Sequence, residues 1–371
     1  MIYTIIIFVL VLSVLVFAHE AGHFFTARKF GVKADEFGLG FPPRAIGVYK
    51  DAKGKWRRLV GNRDIETLED DEVPSDTVYS LNWLPIGGFV KIKGENGDDR
   101  DESDSFGAQK IWKRTIILAA GVIMNIILAF ALFSICFMVG APQAVDVGGK
   151  IQITEVVKKS PADTAGILSG DVVTGADDKT FASVPEMQAY VGAHGNQDVT
   201  LKVIRGNENL SFKVKPELKD NKGIMGVGLE QVDTVRYSFF QALWEGAKHT
   251  GILLWMILVS FFALIRDLII GHGAGDAVGG PIRIAQMTGE VARFGFVNLL
   301  NFTALLSLNL AVINILPFPA LDGGRIFFLL IEKIKGKPIK RETEALIHNA
   351  GFMLLMLLIL LVTYKDIARM F

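Results

Sequence analysis

The most constraining feature of this 371-residue chain is its start. No Asp, Glu, Lys or Arg occurs from Met1 to Ala18, and this apolar run leads directly into His19-Glu20-Ala21-Gly22-His23. An uncharged apolar run of that length reads as a membrane-spanning helix. Two histidines four positions apart project from one face of a helix, so both imidazoles can reach one metal ion. The intervening Glu20 lies about 100° round the axis, close enough to share a water with the metal without being a ligand. This is the helix-borne zinc-hydrolase pattern, with two His ligands and a Glu general base. Soluble metalloproteases do not open on such a segment, so the pattern puts the metal at the edge of the bilayer or inside it.

Composition agrees with a membrane protein. Half of the residues are hydrophobic, the mean hydropathy is +0.37, and the apolar residues are gathered in runs, which is more than an ordinary soluble domain carries. The 39 basic residues are balanced by 39 acidic ones, which argues against a nucleic-acid partner. The single cysteine, Cys136, lies in an apolar run. It excludes an intrachain disulfide and a cysteine zinc cage, and it reads as a small buried hydrophobe. No Lys or Arg precedes Arg28, so the first run is expected to be a retained helix and not a secretory signal.

Taken in order, helix one covers about 2–30, and Arg28, Lys29 and Lys33 mark its far end as cytoplasmic. Residues 45–94 read as strands and turns, interrupted by a charged insert from Asp64 to Asp76. Within them, Asn82-Trp-Leu-Pro-Ile-Gly-Gly-Phe89 is apolar, turn-rich and uncharged. It is either a soluble hairpin or a re-entrant one, since non-helical backbone at membrane depth must line protein or a wet cavity. An acidic loop from Glu95 to Asp104 precedes a second span at about 115–140, bordered by Lys110, Lys113 and Arg114.

Residues 143–220 read as a water-soluble α+β module. Short β-rich runs alternate with turn signals around Ser160-Pro-Ala-Asp-Thr-Ala-Gly-Ile-Leu-Ser-Gly-Asp171, and a helix is expected over 184–192. The string resembles a PDZ domain of the circularly permuted bacterial type. Such a domain takes an extended peptide or chain end as an added strand, or it shields the membrane site sterically. Residues 221–297 form a linker region. In it, the apolar stretch 251–265, broken by Arg266 and Asp267, is short for a span and reads as an interfacial helix. The C-terminal membrane part, 298–371, holds a third span ending in Asp322-Gly323-Gly324 and a fourth over about 346–364. Four spans put both termini and the PDZ-like module on one face, and both metal-type motifs near the cytoplasmic one. His194, His249, His272 and His348 lack metal-type spacing and read as surface or interfacial histidines.

Asp322 closes the uncharged run Asn314-Ile-Leu-Pro-Phe-Pro-Ala-Leu. A carboxylate at membrane depth costs about 2.5–3.5 kcal/mol on insertion scales, and a metal ion would offset that cost. A turn aspartate punctuated by two glycines is the plainer reading of Asp322 alone. The need of His19 and His23 for a third ligand, at the depth where the topology puts Asp322, favours the ligand.

Together these features resemble the site-2 protease family of intramembrane zinc metalloproteases, in its bacterial RseP-type branch, with one PDZ domain where relatives often carry two. The resemblance implies a polytopic α-helical membrane protein of four transmembrane helices, with a re-entrant β-hairpin loop and one inserted PDZ-like domain. It implies Zn2+ held by His19, His23 and Asp322, with Glu20 as catalytic base. Asn309 and Asn314 match asparagines proposed to hold the unwound substrate; helix–helix glue is their alternative. Gly87, Gly88 and Phe89 match the re-entrant β-loop, which moves that segment to the re-entrant reading. Gly121 and Asn125 match a second-span motif, with Asn125 expected at the substrate, although Val122 stands where relatives usually have proline. The implied activity is endopeptidase cleavage within or near transmembrane segments, in regulated intramembrane proteolysis of substrates such as anti-sigma factors or remnant signal peptides. The implied place is the bacterial cytoplasmic membrane, with the module outside. The competing readings are a catalytically silent PDZ-bearing scaffold, and a metal transporter, which needs more intramembrane carboxylates than the chain has.

Overall fold

The computed structural model describes residues 2–62, 74–95, 102–144, 149–206, 208–219, 221–271 and 279–368. Most of the charged insert after Asp64, the middle of the acidic loop after Glu95, and His272 lie outside the described residues. The chain divides into two compact units, one of residues 1–133, 246–289 and 301–371, the other of 134–245 and 290–300.

In the first unit, α1 (Ile2–Lys29) carries the His-Glu-x-x-His segment in its second half. Three strands follow: β1 (Ala34–Lys50), β2 (Trp56–Val60) and β3 (Val78–Ile92), ordered β2-β1-β3 and antiparallel. β1 therefore begins well before residue 45, and the runs at 77–81 and 88–92 belong to one strand. Both long strands double back. Phe37 pairs with Val90 on one side and with Tyr79 on the other, and Leu39 pairs with both Gly88 and Leu81. The reversals fall at Pro42-Pro43, which cannot donate to a ladder, and at Pro85-Ile-Gly-Gly88, where Gly87 has φ +74°. The result is that Gly88–Ile92 is an outer edge of the sheet, with no strand beyond it among the described residues.

Helix α2 (Ile111–Val139) begins four residues before its expected start, so Lys113 and Arg114 sit in its first turn. Helix α5 (Phe239–Ile270) is a single element of 32 residues, and α6 (Pro281–Arg293) follows. Helix α7 (Phe296–Ile315) stops short of the expected 321, because Pro317 and Pro319 cannot continue it. Asp322 instead opens a separate helix, α8 (Asp322–Lys335), and α9 (Arg341–Ala368) completes the unit. Five of these helices, α1, α2, α5, α7 and α9, are long and apolar enough to cross a membrane by length and composition.

The second unit is a six-stranded sheet ordered β4-β11-β5-β6-β7-β8. Its strands are β4 (Ala141–Ala144), β5 (Lys150–Val156), β6 (Val172–Ala176), β7 (Val199–Arg205), β8 (Glu208–Val214) and β11 (Val227–Val235). The two short helices α3 (Pro161–Thr164) and α4 (Val184–Ala193) start on serine caps, Ser160 and Ser183. Ile153, Ile167, Met187, Leu201 and Val203 form its core. Asp171 is fully buried beneath Arg205, whose Nε and Nη2 each donate to it at 2.7 Å. Strand β11 lies in the stretch expected to be linker, and it pairs with β5 from Val227 to Val232. The small hairpin of β9 (Glu217–Lys219) and β10 (Lys222–Ile224) leads into it. The module thus runs on to at least residue 235.

Candidate active site

Helices α1 and α2 approach closely because each is notched by a glycine where they touch. A Cβ on Gly22 would sit 2.3 Å from the Ala120 carbonyl oxygen. A Cβ on Gly121 would sit 2.4 Å from His23 Nε2 and 2.7 Å from His19 Cε1. Gly121 therefore clears the space into which both imidazoles point. The two histidines are 7% and 6% exposed, and their rings lie edge to face. His23 Nδ1 donates to the Ile117 carbonyl at 2.8 Å, the geometry that leaves Nε2 free to ligate.

Asp322 arrives from the other side of the chain. Its Oδ2 lies 3.0 Å from His19 Nε2 and 3.4 Å from His23 Nε2, and the two Nε2 atoms are 3.2 Å apart. Bonds of about 2.0–2.1 Å to a tetrahedral zinc put ligand atoms roughly 3.3–3.5 Å apart, so the triangle has close to the right size. Oδ2 is buried and has no hydrogen-bond partner beyond these nitrogens among the described residues. A buried carboxylate oxygen left to two imidazole nitrogens fits a cation. His19, His23 and Asp322 would hold zinc, with one tetrahedral position left for water.

The loop before Asp322 is held from α9. The Ala320 N–H donates to His348 Nδ1 at 2.9 Å, and Gly351 lets Pro319 approach so closely that a Cβ there would meet it at 2.3 Å. His348 therefore holds the loop before Asp322, a role that reading it as a surface or interfacial histidine did not include. Gly323 and Gly324 likewise pack on the last carbonyls of α7 and its loop, where a Cβ would come within 2.2 Å and 2.3 Å of carbonyl oxygens. Neither His348 nor Gly351 carries a local sequence signal. The paired glycines do.

Glu20 Oε2 accepts from the Val90 N–H at 3.2 Å, so the proposed base faces the outer edge of β3. A cavity of about 840 Å³ runs along that edge, lined by Glu20, His23, Gly88, Phe89, Asp322 and Arg325 among others. At its far end Arg325 pairs with Glu95. Burial holds the Asp35 carboxyl there above its usual range, and the Glu102 and Asp104 carboxylates hold Lys93 above its own. A smaller space of about 230 Å³ on the other side is lined by His19, Glu20, Asn314 and Asp322. Asn314 is thus at the centre, whereas the Asn309 amide donates back to the Leu305 carbonyl of its own helix at 2.9 Å.

Gly87 donates its N–H to Ser13 Oγ at 3.3 Å, and Ser13 in turn donates to the Pro85 carbonyl at 3.0 Å. Asn125 differs from expectation. It is fully buried, with Nδ2 3.3 Å from His19 Nδ1, so its contact in this structure is with His19. A side chain one turn along α2 from Gly121 faces the same imidazoles, which is why the motif spacing put it beside the site without revealing what it touches.

In the second unit, α4, β10 and β11 border a groove of about 1000 Å³ lined by Met187, Val191, Ile224, Met225, Val227 and Leu229.

Comparison with known proteins bears on the whole chain. It is similar to the regulator of sigma-W protease RasP of Bacillus subtilis, at 31% identity over 99% of both chains. It is also similar to the zinc metalloprotease RasP of Bacillus licheniformis, at 30% identity over 99% of both. Among solved structures, the PDZ domain of an SdrC-like protein from Listeria monocytogenes aligns with 24% of this chain and 92% of its own, at 20% identity and a TM-score of 0.21. Peptidase family M50 matches residues 7–57 and 70–358, nearly the full length and both halves of the metal centre. With His19 and His23 on α1 and Asp322 on α8 placed to hold one metal ion and its zinc-protease relatives aligned end to end, the chain belongs to peptidase family M50, the site-2 family of intramembrane zinc metalloproteases.

Proposed function

We propose that this protease is an endopeptidase that hydrolyses peptide bonds within or near transmembrane segments, with Glu20 as general base. The observation that carries the reading is Glu20 lining the same cavities as His19, His23 and Asp322 while accepting from an outer strand edge. Zinc, when bound, polarises the scissile carbonyl and lowers the pKa of a water toward neutrality. Glu20 takes a proton from that water as its oxygen bonds to the carbonyl carbon. Glu20 then gives the proton to the nitrogen that leaves as the C–N bond breaks. A helical substrate hides its carbonyls in internal hydrogen bonds and must unwind. The edge Gly88–Ile92 offers the freed backbone a strand to pair with, and the Asn314 amide offers side-chain hydrogen bonds. The direct test is Glu20→Gln, which should keep zinc and the fold and abolish cleavage of a helical model substrate. Undiminished cleavage would remove Glu20 from the mechanism, and a purified wild-type chain without zinc would favour the scaffold reading.

Four crossings and a re-entrant β-loop are part of this proposal. The hairpin tip at Pro85–Gly87 bonds to Ser13, inside the apolar run of α1, and its neighbours Leu81, Trp83, Leu84 and Ile86 are exposed, as suits lipid. A Cβ on Gly289 in α6 would meet Thr4 near the start of α1, while Gly280 beside α6 donates to Asp366 near the end of α9. Both chain ends thus touch one short helix, which favours an even number of crossings. Helix α5 starts beside α2, where His249 meets the Phe133 ring at 4.8 Å. The most apolar window of α5 buries no residue. These features favour an interfacial α5. Labelling of a cysteine at Gly271, with Cys136 replaced, should then occur from the same side as labelling at Tyr3; labelling from the opposite side would restore a fifth span.

The proposed orientation has the termini and the sheet module on the outer face of a bacterial cytoplasmic membrane, and the metal toward the inner one. The basic residues Arg28, Lys29 and Lys333 to Arg341 near the inner ends support it. In this reading the module is of PDZ type and its groove takes an extended peptide or chain end. Substrates are trimmed membrane proteins such as anti-sigma factors or remnant signal peptides, in keeping with the name of the Bacillus subtilis relative.

A further inference from the structure

Both imidazoles of the centre have an outer partner on α2, and the two partners differ in kind. His23 Nδ1 faces the Ile117 carbonyl, which can only accept. His19 Nδ1 faces the side-chain amide of Asn125, which can accept or donate. Asn125 is fully buried, its Oδ1 has no partner, and its backbone carbonyl accepts from Ser307 Oγ at 2.8 Å, tying α2 to α7.

The end of the amide that faces His19 decides what His19 can do. With Nδ2 toward the ring, Nδ1 accepts and the ring proton sits on Nε2, the atom aimed at Asp322. A protonated nitrogen cannot ligate a metal. With Oδ1 toward the ring, Nδ1–H donates and the Nε2 lone pair is free. The two ends of an amide have the same shape, so a half-turn about Cβ–Cγ exchanges them without displacing neighbours. The same half-turn gives the buried, partnerless oxygen a donor.

We propose that Asn125 is a positioning residue of the metal centre: its side-chain oxygen accepts from His19 Nδ1–H and fixes the tautomer in which Nε2 holds zinc. The inference rests on His19 being a zinc ligand. It assigns the two ligands of α1 unequal supports on α2, one a main-chain carbonyl set by the fold, the other a side chain that a single substitution can remove.

The test is zinc affinity of the purified full chain, measured by competition with a chromophoric chelator. Asn125→Ala should weaken zinc binding by about 10–100-fold, as the loss of an outer-shell partner does. Asn125→Asp still presents an acceptor oxygen to Nδ1–H and should bind zinc close to the wild-type level. Ser307→Ala cuts the tie between helices without touching the imidazole and should leave affinity unchanged. If Asn125→Ala does not accumulate folded, Asn125→Leu, of similar volume and without an acceptor, takes its place. Zinc bound as tightly without the acceptor as with it would overturn the proposal. So would Asn125→Asp binding as weakly as Asn125→Ala, which would make Asn125 a packing residue. A wild-type chain that binds no zinc would instead sink the metal reading itself.

Discussion

The two sides of the metal centre reach the same point by opposite constructions. The histidine side is helix against helix. His19 and His23 share one face of α1, and Gly22 and Gly121 let α2 press against it closely enough for a main-chain carbonyl to hold an imidazole. The carboxylate side is a proline-broken loop between α7 and α8, and its geometry is imposed by contacts from α9 and from the sheet side. Interiors of close-packed helices resist small displacements, whereas a loop without its own ladder depends on each tether. The difference teaches that the histidine side should fail through crowding and the carboxylate side through loosening.

The largest effect should come from crowding. Gly121→Val puts carbon atoms where the metal and both Nε2 atoms converge, since even a Cβ would stand 2.4 Å from His23 Nε2. Zinc content of the purified protein should fall from about one per chain to background. Proteolysis should fall by roughly 10³-fold or more, the scale on which losing a main charge-stabilising group is felt. Gly121→Ala should lie between the two. A Gly121→Val protein with full zinc content would show that α2 can draw back from α1, and the contrast between a rigid and a tethered side would be lost.

The histidine side was also the legible one. The His-Glu-x-x-His spacing is local, so periodicity alone aims both rings at one point, and the end of an apolar run gives their depth. Asp322 alone reads as a turn aspartate, and it becomes legible as a ligand only through the need of His19 and His23 for a third one and the depth that the topology gives it. What the sequence could not carry was long-range and made by unremarkable residues: the doubling of β1 and β3 that turns Gly88–Ile92 into an edge, the His348 tether, and the Asn125 contact. Strand β11 was missed for a different reason. Its apolar residues Val227, Leu229, Val232 and Val235 do not keep to one face of a strand, and it follows a hairpin of three-residue strands. Helix α7 was overextended for the opposite reason, since hydropathy continues through Pro317 and Pro319 although the helix cannot.

The smaller effect should come from loosening, and His348 is the place to look for it. Its Nδ1 is the acceptor for the Ala320 N–H, two residues before Asp322, and Ala320 sits at φ +76°, a left-handed conformation unfavourable for a residue with a Cβ. Removing the acceptor by His348→Ala leaves that N–H without a partner, at a cost of about 1–3 kcal/mol. If about half of this appears as freedom of the loop, zinc affinity falls roughly tenfold, since about 1.4 kcal/mol is a factor of ten. His348→Gln keeps an acceptor within reach and should recover most of the loss, which a mere packing role for the ring would not allow. Chelator competition on the two variants reads the difference directly. The stability of the second unit should not change, because its core and its Asp171–Arg205 pair are its own. Equal zinc affinity in wild type and His348→Ala would mean that the glycine packing on α7 suffices to hold Asp322, and the carboxylate side would then be as self-supporting as the histidine side.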